Sequence, residues 1–224
     1  MISLPSTEHA YDHENAFYLT CKPGRIGKLL AHHELYQRAR ELPGAFVECG
    51  VFKGPSFARF AMFRHLFETE ETRALIGFDI FGKFPETTFE DDKARREQFI
   101  KSAGDESISV EQLCAVLAQK DCGKNVTLVS GDICQTVPAY ANEHPELRIA
   151  LLHLDVDIYE PSRVVMEVLA PRVVPGGVII LDDYGIFPGA TKAVDDYLVG
   201  RSERIQKFPF ALAPAYLIKS GNPG

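Results

Sequence analysis

Leu151–Asp183 reads "LLHLDVDIYEPSRVVMEVLAPRVVPGGVIILDD". Two apolar runs, Leu151–Leu154 and Val178–Leu181, flank a stretch with helical spacing, and turn-forming residues separate the three. Apolar runs this short are strands of a buried core, and two strands joined by a helix pair in parallel through a crossover. The helix is expected over Ser162–Val173, ending before Pro175, and the second strand over Gly177–Asp183. Each strand ends in two acids: Asp155 and Asp157 on the first, Asp182 and Asp183 on the second.

The same alternation extends in both directions. "GRIGKLLAHHELYQRAREL" (Gly24–Leu42) carries Ile26, Leu29, Leu30, Leu35, Ala39 and Leu42 at helical spacing and stops at Pro43-Gly44. "AFVEC" is a short buried strand, and "PSFARFAMFRHLF" a helix with Pro55 in its first turn. "ALIGFD" and "NVTLVSGD" are two more strands, separated by a charged helical insertion within residues 84–123. "RIALLHLD" and "GVIILDD" are the fourth and fifth strands, followed by a helix around "TKAVDDYLV". The tail "IQKFPFALAPAYLIKS" holds two strands too close for a helical crossover, which predicts an antiparallel hairpin at one edge. The expected fold is α/β: a doubly wound, mostly parallel seven-stranded sheet in one domain over residues 1–224, with residues 1–43 as a helical arm. Ligands of such sheets bind at the carboxyl ends of the strands, near the point where strand order reverses.

Composition removes several function classes. A chain of 224 residues, 46% hydrophobic and 25% charged, suits one soluble domain. A net charge of -7 argues against nucleic acid as a partner, because phosphate binding needs a basic face. There is no apolar run long enough to span a membrane and no signal-peptide pattern at the N-terminus. Five cysteines without a CxxC pair predict reduced thiols and a cytoplasmic protein.

"VECGVFKGPS" (Val47–Ser56) joins the first strand to its helix. Gly50 and Gly54 let backbone approach a ligand closely, next to the free N–H groups of a helix start. The spacing is neither GxGxxG nor a P-loop. Asp79 at the end of the second strand is placed to accept bonds from ribose hydroxyls, and Asp132 after the third to reach an adenine amine. Either acid alone would cap a turn; with the glycine loop they point to an adenosine-containing ligand. Glu48 is charged inside an apolar strand and needs a cationic partner, for which the amino group of a methionine-like moiety is suited.

Neighbouring strand ends lie about 5 Å apart, so the four aspartates converge. Two carboxylates at about 4 Å repel by about 4 kcal/mol at an effective dielectric near 20, so such a group needs raised pKa values, a basic partner or a cation. The nearest bases in sequence, Arg163 and Lys192, each lie on a following helix. Oxygen-only ligands favour Mg²⁺, with Mn²⁺ or Ca²⁺ also fitting. His153, deeper in the strand, reads as a core residue. A metal beside an adenosine cofactor suggests methyl transfer from S-adenosyl-L-methionine to a hydroxyl, with a fourth carboxylate as general base.

Together "VECGVFKGPS", "GFDIFGKFPE", "LDVDIYEPSRVVMEVLAPRVVPGGVIILDDYG" and "PGATKAVDDY" resemble the class I S-adenosylmethionine-dependent methyltransferases, and most closely the macrocin O-methyltransferase family, which methylates sugar hydroxyls in antibiotic biosynthesis. The resemblance covers most of residues 44–198. It implies Mg²⁺ ligation by Asp155, Asp182 and Asp183, with Asp157 as the base and the roles of Asp155 and Asp157 open to exchange. It also implies a cofactor pocket lined by Glu48, Gly50, Phe52, Ser56, Asp79 and Asp132. "DIFGKFPE" departs from the family's usual "DSFEGLPE". The implied acceptor is a deoxysugar, free, nucleotide-linked or in a glycoside; a catechol-type acceptor, or a binding module without catalysis, are the alternatives. The N-terminal stretch reads as a lid presenting Tyr11, Tyr18, Arg25 or His32 to substrate, and the fold class is compatible with a homo-oligomer.

Overall fold

The computed structural model describes residues 2–221. Along the chain run α1 (Ala10–Thr20), α2 (Pro23–Ala39), β1 (Ala45–Cys49), α3 (Pro55–Phe67), β2 (Leu75–Asp79), α4 (Glu90–Ala103) and α5 (Val110–Ala118). β3 (Val126–Ser130), α6 (Ile133–Glu143), β4 (Ile149–Leu154), α7 (Tyr159–Val168), β5 (Val173–Leu181), α8 (Pro188–Leu198), β6 (Gln206–Lys207) and β7 (Ala215–Ile218) follow. The strands form one seven-stranded sheet in the order β3-β2-β1-β4-β5-β7-β6. The first five are parallel, and β7 pairs antiparallel with both β5 and β6. The strand order reverses between β1 and β4, which puts the switch point at the ends of those two strands.

β1, β2 and β4 are buried along their whole length because helices cover both sheet faces. Side chains alternate between two cores, as a period of two requires. Val47, Ile76, Leu152 and Ile179 face one core with Val137, Val165, Met166 and Val194 from α6, α7 and α8. Phe46, Leu75, Leu151 and Ile180 face the other with Leu35, Tyr36, Phe57, Phe60 and Leu113 from α2, α3 and α5.

The expected alternation is present, with three differences. The helix predicted to Val173 ends at Val168 and passes through a short 3-10 turn, Ala170–Arg172, into β5. Pro171 has no N–H to continue the helix, and the buried Val173 pairs with Ile149, so Pro175 falls inside a strand. α6 is not legible in the sequence because Pro138 interrupts it. α1 lacks any buried residue, and Tyr11 and Tyr18 are exposed.

The insertion is closed at its base by a bridge between Lys83 and Glu106. It is fastened to the rest of the domain by two acids. Buried Asp92 accepts from Gly189 N at 2.7 Å and Tyr159 N at 2.9 Å, so one carboxylate caps the first turns of both α8 and α7. Glu160 accepts from Thr87 Oγ1 at 3.0 Å and Thr88 N at 2.7 Å, holding that segment against α7.

Candidate active site

The β1–α3 turn is left-handed at Gly50 (φ 91°), Phe52 (φ 47°) and Gly54 (φ 86°). A Cβ on Gly50 would overlap the carbonyl oxygen of Asp155, so only glycine lets this loop pass under the loop after β4. Asp79 ties the turn down. Its Oδ2 accepts from Val51 N and Phe52 N, both at 2.8 Å, and its Oδ1 from Phe81 N at 2.6 Å and Ser107 Oγ at 3.2 Å. Four donors match the capacity of a carboxylate, so in this conformation Asp79 is fully engaged by the protein. Burial raises its pKa, against the pull of those bonds.

Above the turn lies a cavity of about 560 Å³, a size that suits a cofactor or drug-sized ligand. Gly50, Phe52, Asp79, Asp132, Asp155 and Asp157 line it, joined by Pro85, Thr87 and Thr88 of the insertion and by Cys134. Asp132 also caps α6, accepting from Cys134 N at 2.9 Å. Glu48 and Ser56 do not reach this wall: Glu48 is 2% exposed and accepts from Ser56 Oγ at 2.6 Å.

The four aspartates do converge, in two groups. Asp155 N donates to Cys49 O at 2.9 Å and Asp182 N to Leu154 O at 3.0 Å, so each acid continues the ladder of its strand into the neighbour. Carboxylate oxygens of Asp155, Asp157 and Asp183 lie within 4.8 Å of one another. Asp157 has left the extended conformation (φ 64°), and its N–H donates to Asp183 Oδ2 at 2.9 Å. Asp182 points the other way. Its Oδ2 accepts from Lys28 Nζ at 2.6 Å, while Oδ1 faces His32 Nε2 at 3.8 Å and His153 Nε2 at 3.7 Å.

No run near the acids in sequence supplies a basic partner; the structure brings one from α2. Arg163 pairs with Glu167 and Lys192 with Asp196, each one turn along its own exposed helix face. Lys28 also lies 3.9 Å from Asp155. His32 Nδ1 is 3.0 Å from Arg59 Nη1, which can only donate, so the neutral His32 ring carries its hydrogen on Nε2, towards Asp182. Burial above all lowers the pKa of His32 to about 3.

His153 is in the core as expected, but it is not inert. Burial opposes its charge, yet Asp182 on one side and Glu48 on the other raise its pKa to about 10, with Glu48 Oε2 at 3.4 Å from Nδ1. The cationic partner of Glu48 is therefore this ring.

These contacts set the charges of the cluster. Burial raises the carboxyl of Asp182, but His153, His32 and Lys28 overcome it and hold the group well below its ordinary value. Asp155 and Asp183 are pushed well above theirs by burial and by the neighbouring acids, and Asp157 reaches about 8 by burial and the charge of Asp155. The raised carboxyls of three neighbouring buried acids reflect a crowding of like charge that a bound cation would relieve. The all-oxygen set of Asp155, Asp157 and Asp183 fits a hard divalent cation, and beside it the buried Asp182 Oδ1 makes no hydrogen bond.

Lys28 and Arg59 escaped the sequence reading, and His32, expected to face substrate from the lid, is buried against Asp182 instead; Lys28 and His32 lie on a helix more than a hundred residues from the acids. Their one local signal is spacing: Arg25, Lys28 and His32 share a helix face at i, i+3 and i+7.

The fold, a central parallel sheet with an antiparallel edge hairpin, is shared with solved methyltransferases. The calicheamicin methyltransferase CalS11 matches with a TM-score of 0.74 and 28% identity over 96% of this chain and 86% of that one. The O-methyltransferase NovP shares the fold, with a TM-score of 0.72 and 21% identity over 88% and 81% of the two chains. The family model described as macrocin-O-methyltransferase (TylF) matches residues 25–207, and the chain belongs to that family. A curated relative from Streptomyces olivaceus, 8-demethyl-8-(2,3-dimethoxy-alpha-L-rhamnosyl)-tetracenomycin-C 4'-O-methyltransferase, is 31% identical over 160 residues. That alignment covers 70% of this chain and 58% of the relative's length. No helix among the described residues is long and apolar enough to cross a membrane.

Proposed function

We propose that the protein transfers the methyl group of S-adenosyl-L-methionine to a hydroxyl of a deoxysugar, free, nucleotide-linked or within a glycoside, and depends on a divalent cation. The observation that carries this reading is the convergence of Asp155, Asp157 and Asp183, with Asp182 beside them, where Asp155 and Asp157 line a cofactor-sized cavity. Membership of the macrocin O-methyltransferase family and the rhamnosyl acceptor named for the Streptomyces olivaceus relative support the sugar acceptor.

The proposed roles follow from position. The turn at Gly50 and Phe52, fixed by Asp79, cradles the cofactor, and Asp132 and Ser107 border the same cavity. Glu48 and Ser56 brace the turn from behind. Asp155, Asp182 and Asp183 would hold the cation, which when bound supplies Lewis acidity to an acceptor hydroxyl. Asp157 receives the hydroxyl proton; the oxygen attacks the methyl carbon, the carbon–sulfur bond breaks, and S-adenosylhomocysteine leaves. Positioning of the two reactants supplies much of the rate, because the protein does no covalent chemistry of its own. The arm formed by α1 and the start of α2 is proposed to cover the acceptor. The test is turnover of dTDP-deoxysugars and rhamnosides in the presence of S-adenosylmethionine. Turnover should vanish with EDTA and return with Mg²⁺; undiminished turnover in EDTA would remove the cation from the mechanism.

A further inference from the structure

The acid cluster already contains a cation, and it comes from the N-terminal arm. Lys28 Nζ is 2.6 Å from Asp182 and 3.9 Å from Asp155, bridging the ends of β5 and β4. Its side chain is 18% exposed, so it enters the cluster from the solvent side rather than from the core. Its neighbours in the helix are set differently. Gly27 is packed against the backbone at Phe210, and His32 lies beneath, buried and bonded to Arg59. Lys22 to Arg25, the first turn of α2, are exposed, and α1 before them has no buried residue. Lys28 thus ties the first turns of α2 to the strand ends.

We propose that Lys28 is the counter-ion of the aspartate cluster in the cation-free protein, and that a divalent cation takes its place at Asp182 and so releases the start of α2. This rests on the cation reading given above. The carboxylate of Asp182 has two oxygens: one accepts from Lys28, and the other is buried between two imidazoles without a hydrogen bond. A cation held by Asp182 together with Asp155 and Asp183 would therefore share Asp182 Oδ2 with the ammonium of Lys28. An ammonium left in place would stand beside a doubly charged ion with only carboxylate oxygen between them, and like charges at that range repel strongly in a partly buried site. Lys28 is a positioning residue under this assignment, acting through Asp182. Cation binding and the freedom of the arm become one equilibrium, and each favours the other.

The experiment uses the full chain stripped with EDTA. Mn²⁺ is titrated by calorimetry and by its paramagnetic resonance, and amide hydrogen exchange is followed over residues 22–32. Lys28→Met should bind Mn²⁺ tighter by about tenfold or more, because the competing charge is gone, while its S-adenosylmethionine affinity stays at the wild-type value. Lys28→Arg, which keeps the charge, should not gain affinity. In the wild type, Mn²⁺ should speed exchange at the start of α2; in Lys28→Met that segment should exchange fast with or without the ion. An Mn²⁺ affinity unchanged within about twofold in Lys28→Met, or weakened, overturns the inference and leaves the cation reading standing. Unchanged exchange in wild-type α2 overturns it independently of how well the variant folds. Absence of Mn²⁺ binding in both forms overturns the cation reading and this inference with it.

Discussion

Replacing Asp157 with asparagine should make the cation-free protein more stable while removing its activity. Asp157 is 8% exposed, and burial, followed by the charge of Asp155, lifts its pKa to about 8 from the ordinary 3.8. Between those two values the folded chain holds a proton that the unfolded chain has released, so stability falls as pH rises through this window. At about 1.4 kcal/mol per pH unit, roughly 4 kcal/mol has been lost by about pH 7. Asparagine has no proton to lose and bypasses this penalty. It also tolerates the φ of 64° at this position, and the backbone bond from residue 157 to Asp183 Oδ2 is retained. The variant should therefore be more stable by on the order of 4 kcal/mol, or about 10 °C for a chain of this size. The gap should close near pH 4 and narrow when Mg²⁺ neutralises the cluster. The assay is urea unfolding in EDTA at several pH values, followed by far-UV circular dichroism because the chain has no tryptophan. Turnover, measured alongside, should drop by about a hundredfold or more if Asp157 is the base as proposed. A variant no more stable than the parent at neutral pH, or one whose advantage persists at about pH 4, would refute the reasoning.

Two further perturbations probe the frame around the cluster. Gly50→Ala places a methyl group on the carbonyl of Asp155, so it should weaken both S-adenosylmethionine and Mn²⁺ binding, read by calorimetry; loss of one ligand alone would show that the two loops are not coupled there. Asp92→Ala uncaps α7 and α8 together, and at about 1 kcal/mol per cap should lower stability by about 2 kcal/mol in urea unfolding. A loss confined to a few tenths would mean that water replaces the carboxylate.

What the sequence shows of this site depends on how locally each part is encoded. The strands carry their signal in short apolar runs, so β1, β2, β4 and the far half of β5 could be read directly, and the acids that follow them inherit that placement. The glycine turn is equally local, because the demand at Gly50 is met by residue type. Asp182 is different. Nothing near it in sequence says that its side chain turns to Lys28 and two histidines, since that choice is made by α2 crossing the strand ends from a distant part of the chain. His153 shows the same limit: its apolar surroundings predict burial correctly, but its charge depends on Glu48 across the β1–β4 pair. Asp79 was legible as a loop-ending acid, and its four donors appear only once the turn, Phe81 and Ser107 are brought together.

The backbone bonds that launch the acids set them on the sheet, while Lys28 reaches them from a helix. Asp155 hangs from β1 and Asp182 from β4, and β5 is clamped between β4 and β7, so three sides of the cage are built into a sheet that does not breathe. The remaining side is α2, from which Lys28 reaches the acids on a flexible stem while Gly27 and His32 pack against Phe210 and Arg59. The charge and reach of that side can change in sequence without touching the strands that make the fold.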